Sequence, residues 1–256
     1  MRTETEHDFL TEDMFLGDML TLLQPKNGYR AGIDAVLLAA TARGEGRQRL
    51  LDLGAGVGTV GLCAAVRLAE VDVVLVEREA ELVHLARRNI AINSLEDRVL
   101  AVEADVTLPQ KELTSPALIP DDFSHVLANP PYHDAGGGTA APDALKAGAH
   151  QMPRDALELW VKAMARFAVP GGRATMVHKA EALPQILAAF EGRFGDIHVR
   201  PIYPRLSQPA VRVLVEGIKG SRAPPSLSPP FVLHQDGHAF TPEAEAILRH
   251  GGSLIV

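Results

Sequence analysis

The run Leu51-Asp-Leu-Gly-Ala-Gly-Val-Gly58 limits what this chain can become more than any other segment. An apolar, strand-like stretch at 49–54 leads into it, and a helix-period stretch at 58–68 leaves it. Glycines at 54, 56 and 58 let the backbone turn sharply and approach a ligand with no Cβ in the way. A strand that turns in this manner into a helix opens a parallel sheet, and the chain repeats the unit. Residues 71–77 read as a second strand, followed by a helix at 79–93 in which Leu82, Leu85, Ala86, Ile90 and Asn93 recur at helical spacing. A third strand, Val99–Glu103, stops just before Asp105, and a fourth, Phe123–Ala128, runs into Asn129-Pro-Pro-Tyr132. Pro153 suits the first turn of a helix that reaches Phe167, with a turn at 169–172 and a fifth strand at 173–178. A helix at 180–194 and a hairpin of strands at 197–203 and 211–217 complete the pattern. It predicts an α/β, Rossmann-like fold: a seven-stranded, mostly parallel sheet with helices on both faces and a C-terminal antiparallel hairpin.

Composition narrows the class. With 256 residues, 46% of them hydrophobic and 22% charged, the chain can bury a globular core. Apolar runs such as 71–76 stop far short of the ~18–20 residues that a bilayer demands. The first residues, MRTETEHDF, lack the apolar core of a leader, so a cytoplasmic protein is expected. A single cysteine, Cys63, rules out an internal disulfide or a thiolate metal cage, and its apolar helix position reads as core. Net charge −7 counts against a generally basic coat but leaves room for a local basic face. Three segments are expected: an N-terminal recognition or cofactor-covering segment at 1–48, a catalytic domain at 49–217, and a Pro-rich tail at 218–256 packed on it.

The glycine run also contains Gly56-Val-Gly-Thr-Val-Gly61, the spacing of a dinucleotide fingerprint, and Glu77 at the second strand end would hold a ribose diol in either case. Asp52 separates the two. A carboxylate just before the first glycine repels a pyrophosphate on the helix N-terminus but attracts the α-ammonium of S-adenosylmethionine. Asp105 closes the third strand where an adenine amino group would lie. The ordered set resembles that of class I S-adenosylmethionine-dependent methyltransferases. The resemblance implies a cofactor site formed by Asp52, Gly54, Ala55, Gly56, Glu77, Arg78, Asp105, Val106 and Asn129, with S-adenosylhomocysteine as product and no metal. An NAD-dependent oxidoreductase is the rival from another class, and a cofactor-binding protein without activity is a third reading.

Asn129-Pro-Pro-Tyr132 resembles the catalytic motif of methyltransferases that act on amino nitrogens conjugated to a planar π system. Such a nitrogen is a poor nucleophile because its lone pair is delocalised. Asn129 Oδ1 and the Pro130 carbonyl would each accept one N–H, favouring a tetrahedral nitrogen as charge develops. Tyr132 would stack on a flipped base. His133 and Arg30 are further candidates for substrate contact, and the glycine-rich stretch at 135–150 reads as either a substrate lid or a plain loop.

This motif serves adenine, guanine N2 in ribosomal RNA, and the side-chain amide of glutamine in release factors. Phe15-Leu-Gly17 followed by Gln24-Pro-Lys-Asn-Gly-Tyr-Arg-Ala-Gly-Ile-Asp-Ala-Val-Leu-Leu38 resembles the N-terminal signature of the bacterial tRNA adenine-N6 methyltransferase family acting beside the anticodon of a valine tRNA. That resemblance, shared by the Pro-rich tail, implies tRNA as the partner. Gln24, Tyr29, Arg30 and Asp34 would line the methionine end of the cofactor or clamp RNA. Between 193 and 222, Arg193, Arg200, Arg205, Arg212, Lys219 and Arg222 stand against Asp196 and Glu216, either as a basic face or as charges scattered over a hairpin. Monomer and homodimer both stay open.

Overall fold

The computed structural model describes residues 9–27, 30–44, 48–132 and 156–256. Its main sheet runs in the order β8 (Phe194–Tyr203), β9 (Arg212–Lys219), β7 (Ala168–Lys179), β6 (Phe123–Ala128), β3 (Arg49–Leu53), β4 (Asp72–Glu77), β5 (Val99–Glu103). β3 to β7 are parallel, and β7–β9 and β8–β9 are antiparallel. Two short strands from the tail, β10 (Ser226–Leu227) and β11 (Phe231–Val232), extend the β8 edge and bring the sheet to nine strands. The central strands are apolar on both sides because both faces are covered. Leu50, Val73, Leu75 and Leu127 point to the layer of α1 (Ile33–Thr41), α2 (Thr59–Arg67) and α3 (Ala80–Ile92). Their neighbours Leu51, Leu53, Val74, Val76 and Val126 point to α4 (Ala156–Phe167) and α5 (Leu183–Phe190). Cys63 is wholly buried among the first layer, which pushes its thiol up to about 12.

Three local predictions change. Residues 10–25, read from sequence without strands, form an antiparallel hairpin of β1 (Leu10–Phe15) and β2 (Leu20–Pro25). Its turn puts Leu16, Gly17 and Asp18 at positive φ, and a Cβ on Gly17 would overlap the Arg249 carbonyl oxygen. The predicted turn at 169–172 lies inside β7 as an excursion, marked by a register shift between Phe123 opposite Ala168 and His125 opposite Arg173. The helix expected over 180–194 begins as a 3₁₀ turn at Ala180–Ala182 and ends at Phe190, because Phe194 already belongs to β8.

The hairpin is docked by two asparagines of α3. Buried Asn89 accepts the Leu23 N–H at 2.8 Å and donates to the carbonyls of Leu23 (3.1 Å) and Val57 (2.9 Å). Asn93 exchanges the same kind of bonds with Thr21, accepting at 3.0 Å and donating at 2.7 Å. An exposed strand edge is thus closed by side-chain amides that mimic a backbone. The tail ends in α6 (Pro242–His250), which has Pro242 in its first turn and is capped by Thr241 Oγ1, an acceptor for the Ala244 N–H at 3.2 Å. Beyond it the Leu254 N–H reaches the Ala40 carbonyl at 2.8 Å, and Arg67 donates to the carbonyls of Gly251 and Ala39.

Candidate active site

Parallel pairing of β6, β3, β4 and β5 lines up four strand ends, so Asn129, Gly54, the end of β4 at Glu77 and the stretch leading to Asp105 leave the sheet along one edge. The chain turns from β3 to β4 on one side and reaches β6 on the other, which opens a crevice at this point of an α/β sheet. Gly54, Gly56 and Gly58 all take positive φ. A Cβ on Gly54 would overlap the indole of Trp160 from α4, and one on Gly61 would overlap Leu75, so helix and loop lie close against the sheet. Gly56 differs, having no heavy atom within 4 Å of where its Cβ would stand. It is the open floor of the cradle.

Two carboxylates set the electrostatics of that cradle. Glu77 Oε2 accepts the Gly56 N–H at 3.0 Å, while Oε1 accepts from Arg78 N (2.7 Å) and Glu79 N (3.0 Å). Asp52, expected to attract an ammonium, lies beneath the loop, 1% exposed, accepting the Gly61 N–H at 2.9 Å and tying the strand end to α2. Burial pushes its carboxyl up to about 7, against the pull of the Gly61 N–H and with help from the Glu77 charge. A pyrophosphate would have to compete with Glu77 for the Gly56 N–H beside two acids. A cation is favoured at the same place, so the donor set fits S-adenosylmethionine. Asp105 follows β5 next to Glu77, its Oδ1 accepting from Thr107 N (2.9 Å) and Oγ1 (2.6 Å); Val106 is buried and Arg78 donates to Glu79.

The loop after β6 is held from two distant parts of the chain. The Tyr132 hydroxyl lies 2.6 Å from Asn129 Oδ1 and 3.2 Å from Asp34 Oδ2 on the first turn of α1. Arg212, the first residue of β9, donates from Nε to that Asp34 oxygen at 2.8 Å, and its guanidinium lies over the Tyr132 ring, 4.9 Å from the centroid. The His178 ring meets Tyr132 edge to face at 4.8 Å. Pro130 is buried. Sequence reasoning counted Arg212 only as one charge among six and did not find His178 or Trp160, since contacts across such separations leave no periodic signal.

Gln24 and Arg30 converge on Asp13. Arg30 pairs with Asp13 at 2.6 Å, Gln24 Nε2 donates to the same carboxylate at 2.9 Å, and all three line a cavity of about 380 Å³ between the hairpin, the start of α1 and α6. Tyr29, His133 and the stretch 135–150 lie outside the described residues. Half of the six basic side chains of the 193–222 stretch are ion-paired internally: Arg193 with Glu158, Arg212 with Asp34 and Lys219 with Asp121. Among the described residues no group of His, Cys, Asp or Glu is arranged to hold a metal ion, and no helix is long and apolar enough to cross a membrane.

A cationic methyl donor suits the cradle where a dinucleotide does not, and the class follows: an S-adenosylmethionine-dependent methyltransferase. Residues 31–185 match the family model of the methyltransferase small domain, and the chain belongs to that family. It is 34% identical over 120 residues to the tRNA1(Val) (adenine(37)-N6)-methyltransferase of Shewanella amazonensis, covering 47% of this chain and 48% of that one. To the protein of the same name from Bacteroides thetaiotaomicron it is 32% identical over 124 residues, 48% of this chain and 49% of the other. The matches thus span about half the length of these curated relatives. A crystal structure from Agrobacterium tumefaciens, described as a predicted O-methyltransferase, superposes with a TM-score of 0.73 at 32% identity, covering 87% of this chain and 99% of that one.

Proposed function

We propose that the protein methylates the N6 amino group of adenine in tRNA, in the cytoplasm. The observation that carries this reading is Asn129-Pro-Pro-Tyr132 on the strand end beside the glycine cradle. S-adenosylmethionine, when bound, supplies a sulfonium methyl whose bonding electrons return to sulfur as the methyl leaves. Asn129 Oδ1 and the Pro130 carbonyl accept the two N–H bonds of the amine, drawing its lone pair out of conjugation and towards that methyl. The nitrogen, positive after attack, gives up one proton to solvent. Buried Pro130 fixes its own carbonyl, and the rest is positioning of two bound reactants, which can supply roughly 7–11 kcal/mol. An oxygen acceptor has no N–H pair for these two acceptors to engage, so the pattern favours an amine. The names of the curated relatives support adenine in tRNA as that amine. Asp34, within the 1–48 segment, reaches the loop that carries Tyr132.

Labelled methyl transfer from S-adenosylmethionine to total tRNA of a strain lacking this gene, followed by nucleoside analysis, tests the reading. N6-methyladenosine is the expected product; label in a protein band and none in tRNA overturns it. Asn129→Ala should lower transfer by roughly 10²–10³-fold while S-adenosylmethionine still binds within about threefold of wild type, by analogy with removing one transition-state contact. Glu77→Ala should weaken cofactor binding itself.

A further inference from the structure

We propose that Asp34 and Arg212 are positioning residues for the amine-binding loop and act through the Tyr132 hydroxyl. The inference rests on the amine reading above. A phenol has one proton to donate. Here Tyr132 has two acceptors within reach, Asn129 Oδ1 at 2.6 Å and Asp34 Oδ2 at 3.2 Å. The nearer is the atom that must accept the N–H of the substrate. When the amine arrives, the hydroxyl turns to the Asp34 carboxylate, where a charge-assisted bond replaces the one given up. Asn129 Oδ1 is released without leaving the phenol unpaired.

Arg212 makes this exchange possible in two ways. Its Nε donates to the same Asp34 oxygen at 2.8 Å and so fixes the waiting acceptor. Its guanidinium lies 4.9 Å from the ring centroid, a cation–π contact, with His178 bounding the ring from another side, so the ring keeps its place while the O–H changes direction. Asp34 and Arg212 stand 178 residues apart, and the fold brings both to a loop that neither adjoins in sequence. No bond is made or broken in the exchange; one hydrogen bond is traded for another.

The test is a double-mutant cycle on the full chain with tRNA as acceptor, reading kcat, KM for tRNA and S-adenosylmethionine affinity, with thermal unfolding of each variant. Asp34→Asn and Arg212→Lys should each lower kcat by about 10- to 100-fold, with cofactor affinity within about threefold of wild type. In a Tyr132→Phe background, which has no hydroxyl to redirect, adding Asp34→Asn should change kcat by less than about twofold. If Asp34→Asn fails to fold, Asp34→Ser carries the same comparison. An Asp34 effect that multiplies in full on Tyr132→Phe, or a loss of cofactor affinity equal to the loss in kcat, overturns the proposal. Asn129→Ala in the same assay separates the two levels. If it keeps the wild-type rate, the amine reading itself fails; if it lowers transfer as expected while Asp34 and Tyr132 act independently, only the exchange fails.

Discussion

Asp52 is a buried acid whose proton matters near neutrality. Its folded pKa of about 7 stands above the 3.8 of a free carboxyl, mainly through burial. As pH rises the unfolded chain therefore ionises first: the stability contributed by the protonated carboxyl is intact below about pH 4 and is lost as pH passes 7. Asp52→Asn should remove that slope from thermal unfolding followed against pH. The cationic cofactor prefers the ionised form, so the ratio of wild-type to Asp52→Asn affinity for S-adenosylmethionine should rise as pH is raised from 6 towards about 7.5. Trp160, the chain's single tryptophan, packs on Gly54, so its emission reads the binding directly. At this scale, Glu77, Asp105 and Asn129 were legible because position at a strand end is written in local pattern. That Asp52 points under the loop was not, since a side chain's direction depends on what packs above it. Trp160 lies over a hundred residues from the glycine it touches.

Among the elements, the β1–β2 hairpin depends on α3. Asn89 is buried and satisfies three backbone groups, two on β2 and one on Val57 of the glycine loop. Asn89→Ala would leave all three unpaired, and should lower stability by about 2 kcal/mol or more in urea unfolding while loosening the cofactor loop. The same change at Asn93, which is less buried and serves only Thr21 and its own helix, should cost about half as much. The parallel strands were readable as apolar runs and their helices as 3.6-residue periods. The hairpin was hidden because Gln24 shares the buried face with Leu20 and Leu22, breaking the apolar alternation, and because Asp18 sits in the left-handed region without being glycine. The excursion at 169–172 was hidden for the opposite reason: Pro and Gly there signal a break, yet the strand resumes its pairing with β6 beyond it in a shifted register.

For the molecule as a whole, net charge −7 was plain from composition, but its disposition was not. Arg193 and Lys219 belong to the end of the sheet away from the strand ends that carry the site, and both are ion-paired; Arg212 is committed to Asp34. Three of the six basic side chains of the 193–222 stretch are thus committed to internal ion pairs. With tRNA as the proposed substrate, the contribution of this stretch to binding should be shallow in salt, so that neutralising Arg193 and Lys219 together changes the slope of log K against log salt by less than about 1, where two phosphate contacts would change it by nearly 2. Binding by anisotropy over 50–200 mM salt measures it.

The turn at Gly17 rests on the carbonyl of Arg249, and Leu254 bonds to the end of α1. During synthesis at roughly 5–20 residues per second, α1 leaves the ribosome about 10–40 s before the residues that clamp it. The helix that carries Asp34, the acceptor beside Tyr132, thus gains its contact with Leu254 last. A nascent chain that already carries every motif of the site still lacks the support that these later residues lend to α1.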